Sequence, residues 1–130
     1  MPAFLKTQFK IKHLKPTKWG WVVSYPKGLQ LGKNVDIGYG TYIQAQSGVW
    51  IEEDVEIGAY CCIYSRSSID DKIGCVIIKS GAKIGAHSTI WPGVKIGKNS
   101  IVGAHSMVTK SVPNNELWFG VPSCFVRSLT

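Results

Sequence analysis

Aliphatic residues recur every six positions along the stretch from Ile78 to Val112. Each hexad begins with an aliphatic side chain and has a small or β-branched residue at its fifth position. The aliphatic positions are Ile78, Ile84, Ile90, Ile96, Val102 and Val108, and the fifth positions are Ala82, Ser88, Val94, Ser100, Ser106 and Val112. A period of six fits neither an α-helix nor a plain alternating strand. It is typical of a hexapeptide solenoid, in which each hexad is a short strand followed by a corner.

The same period predicts the geometry of the coil. Three hexads make one triangular turn of about 18 residues, with the aliphatic and fifth-position side chains pointing inward. Successive turns stack by parallel strand pairing, about 4.8 Å apart. Glycine at the second position of three hexads supplies corner conformations that other residues reach only with strain. The predicted fold is therefore an all-β parallel β-helix of hexapeptide repeats with about four coils.

Less regular hexads extend the solenoid towards the N-terminus. Two further coils are predicted over 31–48 and 51–68, separated by a two-residue break in register. Turn-forming residues break the period again at 69–77, where we expect a loop extruded from the stack. The chain is then a single domain. Its predicted parts are an N-terminal cap over 1–28, coils over 29–113 that include the loop 69–77, and a C-terminal tail over 114–130.

The predicted cap is apolar and basic. Phe4, Leu5 and Phe9 offer side chains that could cover the open end of the first coil, which would otherwise expose core and strand edges. Residues 19–23 predict a strand that leads into a turn at 25–28. We interpret the six lysines of this segment as a solvated face, with a phosphate site as the alternative.

Composition and charge limit the function more than the fold. A length of 130 residues suggests one domain, and the net charge of +7 favours anionic partners. Phosphorylated small molecules fit this charge better than nucleic acid, because no nucleic-acid-binding motif is present. The sequence predicts no membrane span and no signal peptide. We therefore expect a cytoplasmic protein that binds neither nucleic acid nor membranes.

The four cysteines give no metal-binding signal. They form no CxxC pair, so a zinc knuckle is not indicated. Cys61 and Cys62 are expected to be reduced, buried thiols that act as small hydrophobic side chains. No metal site is predicted.

Residues 84–129 resemble the C-terminal signature of the hexapeptide-repeat acyltransferases, the family of maltose, galactoside and xenobiotic acetyltransferases. The resembling stretch reads IGAHSTIWPGVKIGKNSIVGAHSMVTKSVPNNELWFGVPSCFVRSL. The resemblance implies a left-handed winding, which periodicity alone does not predict because crossover connections are ordinarily right-handed. It also implies an acetyl-CoA-dependent acetyltransferase and a homotrimer with active sites in the clefts between subunits.

The resemblance assigns several residues to coenzyme A. The turn at 120–122 matches the family segment that packs on the cofactor, and two basic residues match those near its phosphates. Two residues of the last coil match backbone donors to the pantetheine arm, and a tryptophan lies beside the thioester tunnel or in a trimer contact. These candidates are Gly120, Val121 and Pro122, Lys110 and Arg127, Gly103 and Ala104, and Trp91.

Two histidines are candidates for the chemistry. His87 and His105 are three hexads apart and occupy the same corner of successive coils. We assign His87 as a general base and His105 to substrate binding, although repetition of the corner motif explains the pair equally well. In maltose-type enzymes the catalytic histidine lies upstream, and the resemblance places that position at or near Ser68. Ser68 is therefore assigned to substrate binding.

The absent upstream histidine bears on the acceptor. A hydroxyl needs a base to attack a thioester, whereas a deprotonated amine needs less help. The favoured function is N-acetylation of a nucleotide-linked deoxyamino sugar for surface polysaccharide such as lipopolysaccharide. The alternative is a sugar O-acetyltransferase of the maltose or galactoside type that uses His87.

Two other functions carry less weight. A γ-type carbonic anhydrase needs three histidines around zinc. The chain has only His13, His87 and His105, and His13 lies outside the predicted coils. A non-catalytic solenoid would leave the coenzyme A signature without a role.

Overall fold

The computed structural model describes residues 11–130, so the predicted cap residues Phe4, Leu5 and Phe9 lie outside it. The described chain consists of short strands joined by tight corners, with a 3-10 turn at Pro26–Gly28. No helix in this range is long and apolar enough to span a membrane. The strands are β1 (Val22–Ser24), β2 (Leu29–Leu31), β3 (Asp36–Ile37), β4 (Tyr42–Gln44), β5 (Val49–Ile51), β6 (Glu56–Ile57), β7 (Cys62–Tyr64), β8 (Arg66–Ser67), β9 (Lys72–Ile73), β10 (Val76–Ile78), β11 (Lys83–Ile84), β12 (Thr89–Ile90), β13 (Lys95–Ile96), β14 (Ile101–Val102), β15 (Met107–Val108), β16 (Glu116–Gly120) and β17 (Ser123–Ser128).

Three stacked sheets form the faces of a triangular prism. Face A contains β1, β4, β7, β12 and β15; face B contains β2, β5, β10 and β13; face C contains β3, β6, β11, β14, β16 and β17. Four coils place one strand on every face, and partial turns at both ends bring the solenoid to about five turns. The predicted all-β parallel solenoid is confirmed, while its left-handed winding stays a prediction.

Strand register locates the irregularities that the hexads indicated. In the upper coils, Lys83 pairs with Ile101, which is a step of three complete hexads along the chain. In the lower coils, Asp36 pairs with Glu56, a step that exceeds three hexads by two positions. Val49 and Trp50, where the sequence predicted a break in register, belong to the three-residue strand β5. The solenoid thus takes up the two additional residues without disturbing strand pairing, since β5 still pairs with β2 and β10.

The prism interior is filled by the positions that the period predicts. Ile63, Ile90 and Val108 stack on face A and are fully buried. Buried serines fill the narrow part of the triangle and direct their hydroxyls to backbone carbonyls. Ser88 and Ser106 both donate to the Gly103 carbonyl, at 3.1 and 2.6 Å. The interior therefore leaves these polar groups satisfied, as a buried hydroxyl requires.

The extruded segment is a β-hairpin instead of an irregular loop. Its strands β8 and β9 pair antiparallel, with Arg66 opposite Ile73. The coil resumes at Val76, which is buried on face B, so the predicted loop bounds of 69–77 are wrong at both ends. Val76 and Ile78 point inward, and Ile77 between them points outward. This alternation is typical of a strand, and the hexad period does not predict it.

The C-terminal segment continues the solenoid past its predicted end at residue 113. Strand β16 adds to face C by parallel pairing with β14, and Trp118 lies opposite Val102. Strand β17 then folds back antiparallel onto β16. Leucine, tryptophan and phenylalanine at 117–119 favour a strand without showing the hexad pattern. The predicted tail is therefore the uppermost layer of the prism.

The described cysteines are free thiols, and their environments differ. Cys61 is fully buried, and burial raises the pKa of its thiol. Cys62 lies on the outward side of face A, opposite Tyr42, and is partly exposed. The expectation of buried thiols is confirmed for Cys61 and wrong for Cys62, because adjacent residues of a strand point to opposite sides.

We expect Ile90→Ala to lower the free energy of unfolding by about 2–5 kcal/mol, because it removes a fully buried side chain and leaves a cavity. Ile69→Ala is the matched control, since Ile69 is 98% exposed and its truncation should change the free energy by less than about 0.5 kcal/mol. Denaturant unfolding measures both values. Equal losses would contradict the assigned interior.

Candidate functional site

A groove of about 630 Å³ opens on face A beside the β8–β9 hairpin. Outward side chains of face A, among them Tyr42, Thr89 and Met107, form its floor. The hairpin residues 66–70 form one wall, and Trp91 lies at the corner that follows β12. Two residues that the sequence assigned to different ligands, Ser68 and Trp91, therefore line the same groove.

Two tyrosines give the groove an aromatic, uncharged surface. Tyr42 and Tyr64 lie on adjacent strands, with ring centroids 6.0 Å apart in an edge-to-face arrangement. The hydroxyls of Tyr42 and Ser24 share a hydrogen bond of 2.7 Å. Partial burial raises the pKa of Tyr64 to about 12, with the hydrogen bond to Cys62 acting in the same direction. Tyr64 is consequently neutral at physiological pH.

Hydrogen bonds at the base of the hairpin fix its position against face A. The hydroxyl of buried Ser65 donates to the Gln44 carbonyl at 2.8 Å and accepts from the Ser47 backbone at 2.9 Å. The Gly74 N–H donates to the Ser65 carbonyl at 2.9 Å and closes the hairpin. Hydrogen bonds thus hold both ends of the hairpin to the coil, and they fix the position of the groove wall.

The hairpin carries charge into the groove. Arg66 and Asp70 both line it and are exposed, as is Ser68. A hydrogen bond from the Ser67 side chain lowers the pKa of Asp70, and nearby Lys72 contributes in the same direction. The ammonium of Lys72 also lies 5.3 Å from the centre of the Trp91 ring. A cation, an anion and aromatic rings therefore share one concave surface, as is common in ligand sites.

A column of rings follows the corner between faces C and A. The rings of His87 and His105 are parallel, with centroids 4.7 Å apart, and Tyr60 stacks below His87 at 5.5 Å. Both histidines have left-handed backbone torsions, with φ of 62° and 59°. The predicted alignment of the two histidines is confirmed. Tyr60 occupies the same hexad position one coil lower. The sequence analysis did not include Tyr60 in this column, although the hexad period predicts its position there.

Stacking, and not hydrogen bonding, orients the His87 ring. The side chain is exposed, and within residues 11–130 its ring nitrogens make no hydrogen bond. Catalytic histidines usually have the second ring nitrogen held by a carbonyl or carboxylate, which sets the tautomer. Residues 11–130 of one copy supply no such partner, so stacking positions the His87 ring without fixing its tautomer.

The predicted coenzyme A residues fall into separate places. Gly103, Ala104 and Gly120 lie near one another, because the Gly103 N–H donates to the Trp118 carbonyl at 2.9 Å and the Gly120 N–H donates to the Ser106 hydroxyl at 3.1 Å. The Gly103 N–H is therefore already paired within the chain, which conflicts with its predicted donation to a pantetheine arm. The turn that contains Val121 and Pro122 joins β16 to β17 at the same corner.

The two basic residues lie apart from that group. Lys110 follows β15 at the corner after face A, whereas Arg127 lies on face C opposite Leu117. Both side chains are exposed. One copy of the chain does not bring these two cations to a common point.

A three-histidine metal site is not assembled in the described part of one copy. No group of three or more metal-ligating side chains occurs within residues 11–130. His13 lies at the lower end of the solenoid, where its Nδ1 accepts a 2.9 Å hydrogen bond from the Tyr25 backbone. His87 and His105 lie in the upper coils, away from it.

Residues 75–110 match the family model for bacterial transferase hexapeptide (six repeats). The galactoside O-acetyltransferase of Lactococcus lactis is 34% identical over 74% of this chain and 53% of its own length. A putative acetyltransferase of Staphylococcus aureus is also 34% identical, over 87% of this chain and 58% of its own. The chain thus spans little more than half the length of these curated relatives.

Solved structures share the fold closely. A hexapeptide-repeat acetyltransferase from Vibrio cholerae, complexed with acetyl-CoA, has a TM-score of 0.81 and 27% identity over 85% of this chain and 65% of that one. The N-acyltransferase AntD from Bacillus cereus, in complex with dTDP and 3-hydroxybutyryl-CoA, has a TM-score of 0.71 and 25% identity with the same coverage. The predicted resemblance to hexapeptide-repeat acetyltransferases is confirmed.

We expect Tyr64 to remain mostly neutral at pH 11. A phenol with a pKa of about 12 is roughly one-tenth ionised there, whereas a free tyrosine with a pKa of about 10 is roughly nine-tenths ionised. The phenolate absorbance of wild type minus that of Tyr64→Phe measures this group, with circular dichroism as the check that the protein stays folded. Full ionisation at that pH in folded protein would contradict the burial of Tyr64 in the groove.

Proposed function

Because the chain carries the hexapeptide repeats of bacterial transferases, we propose that it transfers an acetyl group from acetyl-CoA to an acceptor. The observation that carries this proposal is the likeness to the Vibrio cholerae acetyltransferase, whose structure holds acetyl-CoA. The groove on face A supplies a concave surface for the acceptor, and the glycine-rich upper corner supplies backbone next to exposed His87.

The proposed acceptor is the amine of a nucleotide-linked deoxyamino sugar used in surface polysaccharide. On the resemblance, Ser68 lies at or near the position of the histidine of maltose-type enzymes, and its hydroxyl is no base at neutral pH. His87 lacks an orienting partner within the described chain. Both features suit an amine, which attacks a thioester with less assistance than a hydroxyl. The nucleotide-binding N-acyltransferase AntD, which shares the fold, also supports this assignment.

The reaction needs few protein groups. The amine nitrogen bonds to the carbonyl carbon, the carbon–sulfur bond then breaks, and coenzyme A leaves as the thiol after receiving the proton that the amine loses. His87 is proposed to carry that proton. Backbone N–H groups at the corner would stabilise the oxyanion of the tetrahedral intermediate. Ser68 and His105 are proposed to contact the acceptor.

We propose that the site is completed between copies of a homotrimer. The assigned phosphate contacts, Lys110 and Arg127, lie on different sides of the prism in one copy. Neighbouring copies around a three-fold axis could present them to the same cofactor, together with residues 120–122. Closed cyclic symmetry would then give three equal sites.

Sugar O-acetylation is the second candidate, favoured by the galactoside O-acetyltransferase of Lactococcus lactis at 34% identity. In that case His87 must act as a true base, because a hydroxyl stays protonated across the accessible pH range. The two candidates therefore differ in what loss of His87 does at high pH.

We expect turnover of an amino sugar nucleotide, such as dTDP-4-amino-4,6-dideoxyglucose, and little turnover of its hydroxy counterpart. His87→Ala should lower kcat on the amine by at most roughly 10²- to 10⁴-fold, and this loss should shrink as pH rises and free amine accumulates. The measurement is the pH–rate profile of wild type and His87→Ala with both acceptors.

His105→Ala is the matched control, since it removes the other ring of the stack and should lower acceptor affinity without altering the pH profile. Turnover of the hydroxy sugar alone would overturn the N-acetyl proposal and leave acetyl transfer intact. Absence of transfer from acetyl-CoA to any amino or hydroxy sugar would sink the broader assignment.

A further inference from the structure

An unpaired guanidinium lies in the wall of the groove. Arg66 is exposed and lines the groove. Within residues 11–130 no carboxylate lies in ion-pair range of it, and residues 1–10 contain no acidic residue. Asp70 shares the groove, but its hydrogen bonds come from the Ser67 side chain and the Lys72 backbone of its own hairpin. The Arg66 charge is therefore not neutralised by any carboxylate of residues 11–130.

The backbone of Arg66 is held in place. It belongs to β8, where it pairs with Ile73, and it directly follows buried Ser65. The Ser65 hydroxyl bonds to two neighbouring backbone groups of face A, at 2.8 and 2.9 Å. A cation on a paired strand beside such an anchor loses less freedom on binding a ligand than one on a loose loop. Arg66 is thus a cation on a fixed strand that lines the groove.

The residues that share the groove with Arg66 indicate which kind of anion it could bind. The groove floor carries the uncharged rings of Tyr42 and Tyr64, and the half-buried ring of Trp91 also lines the groove. The ammonium of Lys72, on the same hairpin, lies 5.3 Å from the Trp91 ring and adds a second cation. Rings together with a guanidinium match a ligand that joins a planar base to phosphate, because aromatic faces stack on bases and the planar fork of arginine pairs with phosphate oxygens.

We propose that Arg66 binds the diphosphate of a nucleoside diphosphate moiety in the acceptor, and that the groove on face A is the acceptor site. This rests on the proposed function and assigns its nucleotide to residues that the sequence analysis did not single out. It also places Trp91 beside the acceptor, where the sequence analysis had assigned it to the cofactor. Arg66 is a binding and specificity-determining residue and takes no part in the chemical step.

Phosphate could also come from coenzyme A. The residues assigned to that cofactor on the resemblance, apart from Trp91, lie outside the groove lining. Arg127, on β17 of face C, is the matched arginine for the cofactor. It too is exposed, and its guanidinium donates to the Ser128 carbonyl at 3.5 Å. The two arginines therefore allow the two sources of phosphate to be separated.

The experiment measures binding directly, so that it does not depend on turnover. Calorimetric titrations of wild type, Arg66→Gln and Arg127→Gln use dTDP, UDP, GDP and thymidine as acceptor probes and coenzyme A as the cofactor probe. We expect Arg66→Gln to weaken the nucleoside diphosphate that binds wild type by roughly 10- to 100-fold, the loss of a charge-assisted contact. Its affinity for coenzyme A should change less than about twofold, and Arg127→Gln should show the reverse pattern. Arg66→Lys should recover part of the affinity, because it keeps the charge but loses the fork.

Other binding results would contradict either the role of Arg66 or the proposed function. If Arg66→Gln weakens coenzyme A and leaves the diphosphates unchanged, the groove belongs to the cofactor and the inference is wrong. Failure of wild type to bind any of the three diphosphates while it binds coenzyme A also overturns the inference, and leaves acetyl transfer to a simpler sugar standing. Failure to bind coenzyme A would count against the proposed function itself. Because Arg66 is exposed, an unchanged unfolding midpoint is expected for its variants and confirms that they fold.

Discussion

Close stacking of one coil on the next is the constraint on which the other features depend. At Gly85 a Cβ atom would lie 2.5 Å from the backbone nitrogen of Ala104, and at Gly58 one would lie 2.6 Å from that of Ala86. The corners between faces C and A therefore touch backbone to backbone, and these positions have no space for a side chain. Parallel pairing keeps the coils in that register over the full height of the prism. An alanine at either glycine would force the coils apart at the corner that presents His87 and His105.

This constraint turns sequence spacing into surface chemistry. Residues one coil apart must lie one strand spacing apart, so a motif that recurs every third hexad becomes a column. The stacked rings of Tyr60, His87 and His105 are such a column, and the paired tyrosines on face A are another. Irregular chain can leave the solenoid only at a corner, as the hairpin after β7 does. That departure builds a wall beside a flat face, and a groove results.

The period therefore predicted the interior and the histidine column, because both repeat at fixed spacing. It could not predict the hairpin, since β8 and β9 pair through local contacts that carry no hexad signal. The same is true of β16 and β17, whose strand-forming residues lie beyond the last hexad. The sequence pattern did not single out Arg66 for a related reason. Nothing around it in the sequence suggests a ligand. Its setting arises because the folded chain brings it into one groove with Tyr42 and Trp91, which lie more than 20 residues away in opposite directions along the sequence. Resemblance supplied the coenzyme A residues, but it could not show that Lys110 and Arg127 lie on separate sides of one copy.

The central claim is that this solenoid binds coenzyme A at its upper corner and completes the site with a second copy. A crystal structure of the protein grown with coenzyme A tests it most directly. The account predicts a three-fold assembly with each coenzyme A in a cleft between two copies, its pantetheine arm along Gly103 and Ala104 and its sulfur on the side of His87. A cofactor bound wholly within one copy, or seated in the face-A groove against Arg66, would contradict it.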